Sequence, residues 1–275
     1  MNKKRLILFG SGSFIAHSII ETCRSQGREH VPLRHGEDLA AILRPGDSVI
    51  NFAIDPQYRT GIYSEDHDAD LRAARITRQA GAHFVMLSTR RVYGPEIRWN
   101  ATETSKVAGD ETAYGRNKAT TEERVRQACP DAGIFRLSNI FGYEYTPAAA
   151  RRSFLGQLLF SLNRQGKVFF DMHPDTRRDF LPIEACANQL VARALDATPG
   201  TFNLGGGFPI ACGTLAEWVM EGFGSGELIA NTVMVRDEFY LNMTAWRSRY
   251  DLPIGEKTLK DYCLRLGSRL QCEKS

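Results

Sequence analysis

Apolar residues recur along this chain in short runs, each followed by a segment of helical period. The first run, Arg5-Leu6-Ile7-Leu8-Phe9, has the length of a strand and is closed by Gly10-Ser11-Gly12-Ser13. Behind it Phe14, Ile15, Ile19 and Ile20 fall on one face of a helix, with polar residues opposite. His30 to Arg34 and Ser48 to Ala53 predict a second and a third strand, with a short helix over Asp38 to Leu43 stopped by Pro45-Gly46. A helix over residues of about 66 to 80 precedes a fourth strand, Ala82 to Leu87.

The alternation continues less cleanly. Glu111 to Cys129 reads as a long helix and Gly133 to Leu137 as a strand. Phe154 to Leu162 is helical in period, Lys167 to Phe170 is strand-like, and Arg178 to Ile183 leads into a helix ending at Leu195. Thr201 to Leu204 is a further strand, followed by helices near Leu215 to Phe223 and Leu259 to Leu270. Strands that are apolar along their whole length lie in a parallel sheet covered on both faces. The predicted fold is therefore α/β, a Rossmann-type doubly wound sheet with a smaller, interleaved substrate domain. The expected division is 1–143 plus about 179–206 for the dinucleotide-binding part. About 144–178 plus 207–275 form the rest.

Composition narrows the class. A chain of 275 residues with 43% hydrophobic and 24% charged residues has ample material for a core. No apolar run approaches the ~20 residues of a membrane span. The basic start, Met1-Asn2-Lys3-Lys4-Arg5, runs directly into a strand and reads as no signal peptide. The net charge of +3 is spread along the chain, which argues against a nucleic-acid partner. Six cysteines without CxxC or His-linked spacing predict reduced thiols, no metal site and a cytoplasmic protein.

Strand, glycine-rich turn and helix at Gly10, Ser11, Gly12, Ser13, Phe14 and Ile15 predict a site for a dinucleotide pyrophosphate. An acidic residue after the second strand would take the ribose 2′-hydroxyl of NAD. Arg34 stands there instead and suits the 2′-phosphate of NADP. Asp38 and Leu39 are assigned to the adenine pocket, and Phe52 and Ala53 to the ribose side.

Chemistry enters with Met86 to Lys118. Ser88 and Thr89 close the fourth strand, and Tyr114 and Lys118 share a helix face at i, i+4. A phenol beside an ammonium can move a proton while a nicotinamide moves a hydride. The lysine and the positive nicotinamide ring would favour phenolate, and Thr89 would hold the substrate oxygen.

These stretches resemble the extended short-chain dehydrogenase/reductases, the NAD(P)-dependent sugar-nucleotide epimerases, dehydratases and reductases. The likeness covers nearly the whole chain. It is carried by Gly10 to Ala16, Ser88-Thr89-Arg90-Arg91-Val92-Tyr93-Gly94, Tyr114-Gly115-Arg116-Asn117-Lys118, Phe135 to Gly142 and Arg178 to Ile183. It implies a Thr89, Tyr114, Lys118 catalytic set, with Asn139 and Arg178 touching a nucleotide-linked sugar. It also implies dimerisation through a four-helix contact using the Tyr114 helix.

Dehydratases of this kind place Asp-Glu after the threonine, where this chain has Arg90-Arg91. Either arginine facing the cleft would recognise a substrate anion. The short chain and Leu241 to Trp246 look more like the dTDP-4-dehydrorhamnose reductase branch. The leading expectation is NADPH-dependent reduction of a 4-keto-sugar. An NAD-dependent epimerase is the second, and a cofactor-binding regulatory protein without turnover the third. The family's site-organising Asn has no counterpart between Asn51 and Asn100, so either Asp66, Asp68 or Asp70 replaces it or the role is missing.

Overall fold

The computed structural model describes residues 4–144, 153–230 and 237–274, so the basic start at Met1 to Lys3 lies outside the described residues. The first half runs β1 (Leu6–Phe9), α1 (Phe14–Ser25), β2 (His30–Leu33), α2 (Leu39–Ile42), β3 (Ser48–Asn51), α3 (Pro56–Thr60), α4 (Ala69–Gln79) and β4 (His83–Thr89). It continues through β5 (Trp99–Ala101), α5 (Ala113–Ala128) and β6 (Gly133–Leu137). Next come β7 (Asn139–Phe141), α6 (Phe154–Gln165), β8 (Lys167–Phe170), β9 (Arg177–Pro182), α7 (Ile183–Leu195) and β10 (Gly200–Leu204). The chain closes with β11 (Pro209–Ala211), α8 (Cys212–Phe223), β12 (Glu227–Ala230), β13 (Tyr240–Leu241), α9 (Thr244–Arg247) and α10 (Glu256–Lys274).

Six parallel strands form the main sheet in the order β10-β6-β4-β3-β1-β2. Leu6, Ile7 and Leu8 are fully buried because alternate residues of β1 enter opposite layers. Leu6 and Leu8 join Ile19 and Cys23 of α1 and Leu190 and Val191 of α7. Ile7 joins Ala73 and Ala74 of α4 and Val125 of α5. The strand order reverses between β1 and β3, and the crevice beyond their carboxyl ends is where open α/β sheets bind ligands.

A second core gathers α6, α8 and α10 around Leu159, Leu162, Leu215, Val219 and Leu266. A Cβ at Gly222 would lie 2.1 Å from the Leu264 carbonyl oxygen, so only glycine lets α8 and α10 touch backbone to backbone. Small sheets, β11-β9-β7, β12-β8 and β13-β5, edge this region. Among the described residues, no helix is long and apolar enough to cross a membrane.

At two helix starts the difference from the sequence expectation has a capping reason. The helix expected from about 66 begins at Ala69, because the Asp68 carboxylate accepts from the Leu71 N–H at 2.9 Å. The helix expected from Glu111 begins at Ala113, where the Thr112 hydroxyl accepts from the Gly115 N–H at 3.1 Å.

Candidate active site

The turn after β1 is shaped by a close approach. Gly10 has φ +85°, and a Cβ there would lie 2.5 Å from the Ala53 backbone nitrogen. The Gly10 and Ser11 N–H groups both donate to the Leu33 carbonyl at 2.9 Å. Ser13 caps α1 by accepting from the Ala16 N–H at 3.1 Å. The Gly12, Phe14 and Ile15 N–H groups have no acceptor among the described residues. Together with the positive end of α1 they form a cradle that fits a pyrophosphate.

The cleft above this turn encloses about 1000 Å³ and is lined by Gly10 to Ser13, Arg24, Arg34, His35, Glu37, Phe52 and Ala53. Arg34, Phe52 and Ala53 thus lie together on the wall of one cleft. Two residues assigned to the adenine pocket do not join them. Asp38 spends its carboxylate capping α2, accepting from the Ala40 N–H at 2.9 Å. Leu39 is buried in the core against α4.

A second hollow of about 300 Å³ shares Ser13, Phe52, Ala53 and Ile54 with the first, so the two form one trough. Its walls include Phe14, Ile15, Leu87, Ser88, Tyr114, Lys118, Ile140 and Glu144. Helix α5 presents Tyr114 and Lys118 side by side, with the ammonium 6.0 Å from the phenol ring centroid. The Tyr114 hydroxyl has no hydrogen bond among the described residues, and Arg59 of α3 stands 5.9 Å from the ring. Lys118 is only 2% exposed. Its Nζ donates to Asp70 Oδ2 at 2.6 Å and to the Leu87 carbonyl at 2.8 Å. Burial alone would lower the lysine pKa, but the Asp70 carboxylate, with Tyr114 and Asp68, outweighs it and holds it above its ordinary value.

Thr89 ends β4 one residue past Ser88 and is not itself a wall residue of this hollow; its Oγ1 accepts from the Arg91 N–H at 3.3 Å, and its hydroxyl proton has no acceptor among the described residues. Ser88 is on the wall of the hollow, but its hydroxyl is engaged, donating to Glu122 Oε1 at 2.6 Å. Glu122 in turn pairs with Arg136 at 2.7 Å, both buried, so the end of β4 rests on a buried ion pair.

The remaining predicted residues gather elsewhere. Asn139 opens β7, and Arg178 lies on the neighbouring strand β9. Arg178 lines a pocket of about 540 Å³ with Phe154, Gln157, Phe169, Phe170 and Met172. Its Nε donates to the Asp237 carbonyl at 3.0 Å. Arg90 does not line the trough. It pairs with the Asp237 carboxylate at 2.7 Å and lies 3.8 Å over the Phe239 ring. Arg91 pairs with Asp110 at 2.5 Å. The arginine pair that follows the threonine therefore holds other segments in place.

Asn51, Arg59 and Glu144 are wall residues that no motif in the sequence marks. The three aspartates have different partners. Asp70 meets Lys118, and Asp68 accepts from Thr121 Oγ1 at 2.6 Å. Asp66 offers its carbonyl to Arg72 Nη1 at 3.4 Å. Nothing in the spacing alone could choose among them, since the choice depends on how α4 is rotated against α5.

Comparison with known proteins bears on this geometry. The family model described as "NAD dependent epimerase/dehydratase family" matches residues 16–205. Among solved structures, a UDP-N-acetylglucosamine 4-epimerase from Methanobrevibacter ruminantium superposes with a TM-score of 0.80 at 14% identity over 100% of both chains. A dTDP-4-dehydrorhamnose reductase from Yersinia enterocolitica gives 0.73 at 16% identity, over 96% of this chain and 100% of that one. A UDP-glucose 4-epimerase from Thermus thermophilus, in complex with NAD, gives 0.71 at 16% identity over 96% and 99%. At such identities the likeness is one of fold.

Proposed function

Because the chain belongs to the NAD dependent epimerase/dehydratase family, we propose that it reduces the keto group of a nucleotide-linked 4-keto-sugar with NADPH. The observation that carries this reading is the single trough running from the Gly10 to Ser13 turn to the Tyr114 phenol and Lys118 ammonium. When bound, the reduced nicotinamide supplies the hydride. Tyr114 gives its phenolic proton to the sugar oxygen as negative charge builds there, Thr89 Oγ1 donates a hydrogen bond to the same oxygen, and Lys118 binds the nicotinamide ribose. The region of about 144–178 and 207–275 takes the nucleotide, with Arg178 and Asn139 reading the diphosphate and sugar.

Arg34 and His35 at the adenosine end favour a 2′-phosphate. One observation favours a second reading, an NAD-dependent epimerase. The Glu37 carboxylate accepts the Arg34 backbone N–H at 2.5 Å, which puts an acceptor for ribose hydroxyls at that same end.

Incubation of the purified protein with NADPH and a panel of nucleotide-linked keto-sugars separates the two. Reduction gives stoichiometric loss of nicotinamide absorbance, and Tyr114→Phe lowers kcat at least about a hundredfold while cofactor still binds. Epimerised product with no net consumption of NADPH would establish the second reading in its place.

A further inference from the structure

We infer that Asp70 is a positioning residue for the Tyr114–Lys118 pair, fixing the lysine ammonium and setting the pH at which the pair exchanges its first proton. The inference rests on the hydride-transfer reading above, and it concerns a carboxylate that this reading does not itself require.

The geometry is specific. Asp70 and Lys118 are 4% and 2% exposed, and their charged atoms lie 2.6 Å apart. An ammonium has three N–H donors. Asp70 and the Leu87 carbonyl take two of them, which leaves one for the trough. The other Asp70 oxygen accepts from Asn51 Nδ2 at 2.7 Å. Asn51 is itself pinned to Ala53, accepting the Ala53 N–H at Oδ1 at 3.0 Å and reaching its carbonyl at 3.2 Å. Ala53 is the backbone against which Gly10 packs. A continuous run of contacts thus joins the phosphate-binding turn to the ammonium, so the cofactor cradle and the proton-transfer pair share one rigid support.

Charge acts on the pair as well as geometry. Tyr58 and Tyr114 present rings at 6.0 Å from the ammonium, on α3 and α5. Asp68, the N-cap of α4, faces the same space but is engaged with Thr121 and Tyr63. Arg59 stands by the Tyr114 ring, and Glu144 lies on the trough wall. Asp70 is the carboxylate in direct contact with the ammonium. With the ammonium 6.0 Å from the Tyr114 ring centroid, a charge held beside the lysine acts on both groups. A neighbouring negative charge opposes loss of the first proton whichever of the two groups releases it. Removing that charge therefore moves the first titration of the pair to lower pH.

The test is the pH dependence of kcat/KM for Asp70→Asn and Asp70→Glu. It is run beside a substrate-free NMR titration of Cζ-labelled tyrosine, in which Tyr114 is the signal missing from Tyr114→Phe. Asp70→Asn is expected to move the limb belonging to the pair down by about one pH unit or more, the size of effect an adjacent opposite charge has. That limb is alkaline for reduction and acidic for oxidation, and both move down. Asp70→Glu keeps the charge, so its limb stays at the wild-type pH while kcat falls severalfold. This arm stands even where Asp70→Asn does not fold. An Asp70→Asn profile that superimposes on wild type, with only thermal stability lowered, would overturn the inference. So would a limb that moves in Asp70→Glu. A wild-type protein that turns over no nucleotide sugar counts against the reductase reading alone, since the tyrosine signal titrates without substrate.

Discussion

Arg90 and Asp237, 147 positions apart in the chain, form an ion pair of 2.7 Å that ties the loop after β4 to the segment leading into β13. Arg98 and Arg178 reach the same carboxylate at 3.3 and 3.5 Å. Burial alone would raise the Asp237 pKa, but the surrounding guanidinium groups outweigh it and hold it low. Asp237→Ala should cost about 1–3 kcal/mol, because it leaves largely buried guanidinium groups without their acceptor. Urea titrations of wild type and variant measure it. A loss below about 0.5 kcal/mol would show the cluster to be solvated.

Gly10→Ala should destabilise the fold and weaken cofactor binding together. The new methyl would meet Ala53 nitrogen at 2.5 Å at a backbone with φ +85°. Strain and overpacking of this kind cost about 1–3 kcal/mol. Thermal unfolding with and without NADPH reads both effects. Gly12→Ala serves as the comparison, since a Cβ there meets nothing within 4 Å.

Asp179 makes stability depend on pH. Burial pushes its carboxyl up to about 6, although the Leu241, Gly206 and Gly207 N–H groups all donate to it. Between the ordinary value near ~4 and this raised one, the folded chain holds a proton that the unfolded chain has lost. Stability from this group is therefore greatest below about pH 4 and falls as pH rises through about 6, by about 3 kcal/mol at most. Asp179→Asn removes that component. Denaturation midpoints measured across the window should fall less steeply in the variant than in wild type.

Arg34→Ala should raise the KM for NADPH about tenfold or more and leave that for NADH nearly unchanged, since a lost guanidinium–phosphate contact is worth about 1.4 kcal/mol or more. Initial rates with each cofactor decide it. Equal losses for both would remove Arg34 from 2′-phosphate recognition and strengthen the epimerase reading.

The elements legible in the sequence are those whose pattern is local and long. The apolar runs at the centres of β1, β3, β4 and β6 announce central parallel strands, and the Gly10 to Ser13 turn needs only its neighbours to be recognised. Tyr114 and Lys118 were readable for the same reason, since i, i+4 spacing places them on one face of α5. Short edge strands such as β5, β11 and β13 were not, because residues of such brief pairings carry no period of their own.

Pairings between distant residues belong to another level. Leu39 carries the same apolar signal in a core as in a ligand pocket, and only the docking of α2 against α4 places it inside. Arg90 looked equally able to face the trough or a partner, and the fold supplied Asp237 from the far end of the chain. The sequence by itself determined the alternation of the main-sheet strands with their helices, the glycine-rich turn after β1 and the Tyr114–Lys118 spacing, because each rests on residues within one or two helical turns. The tertiary structure alone decided which aspartate meets that lysine, because Asp70 and Lys118 come together only when α4 and α5 pack on the same face of the sheet.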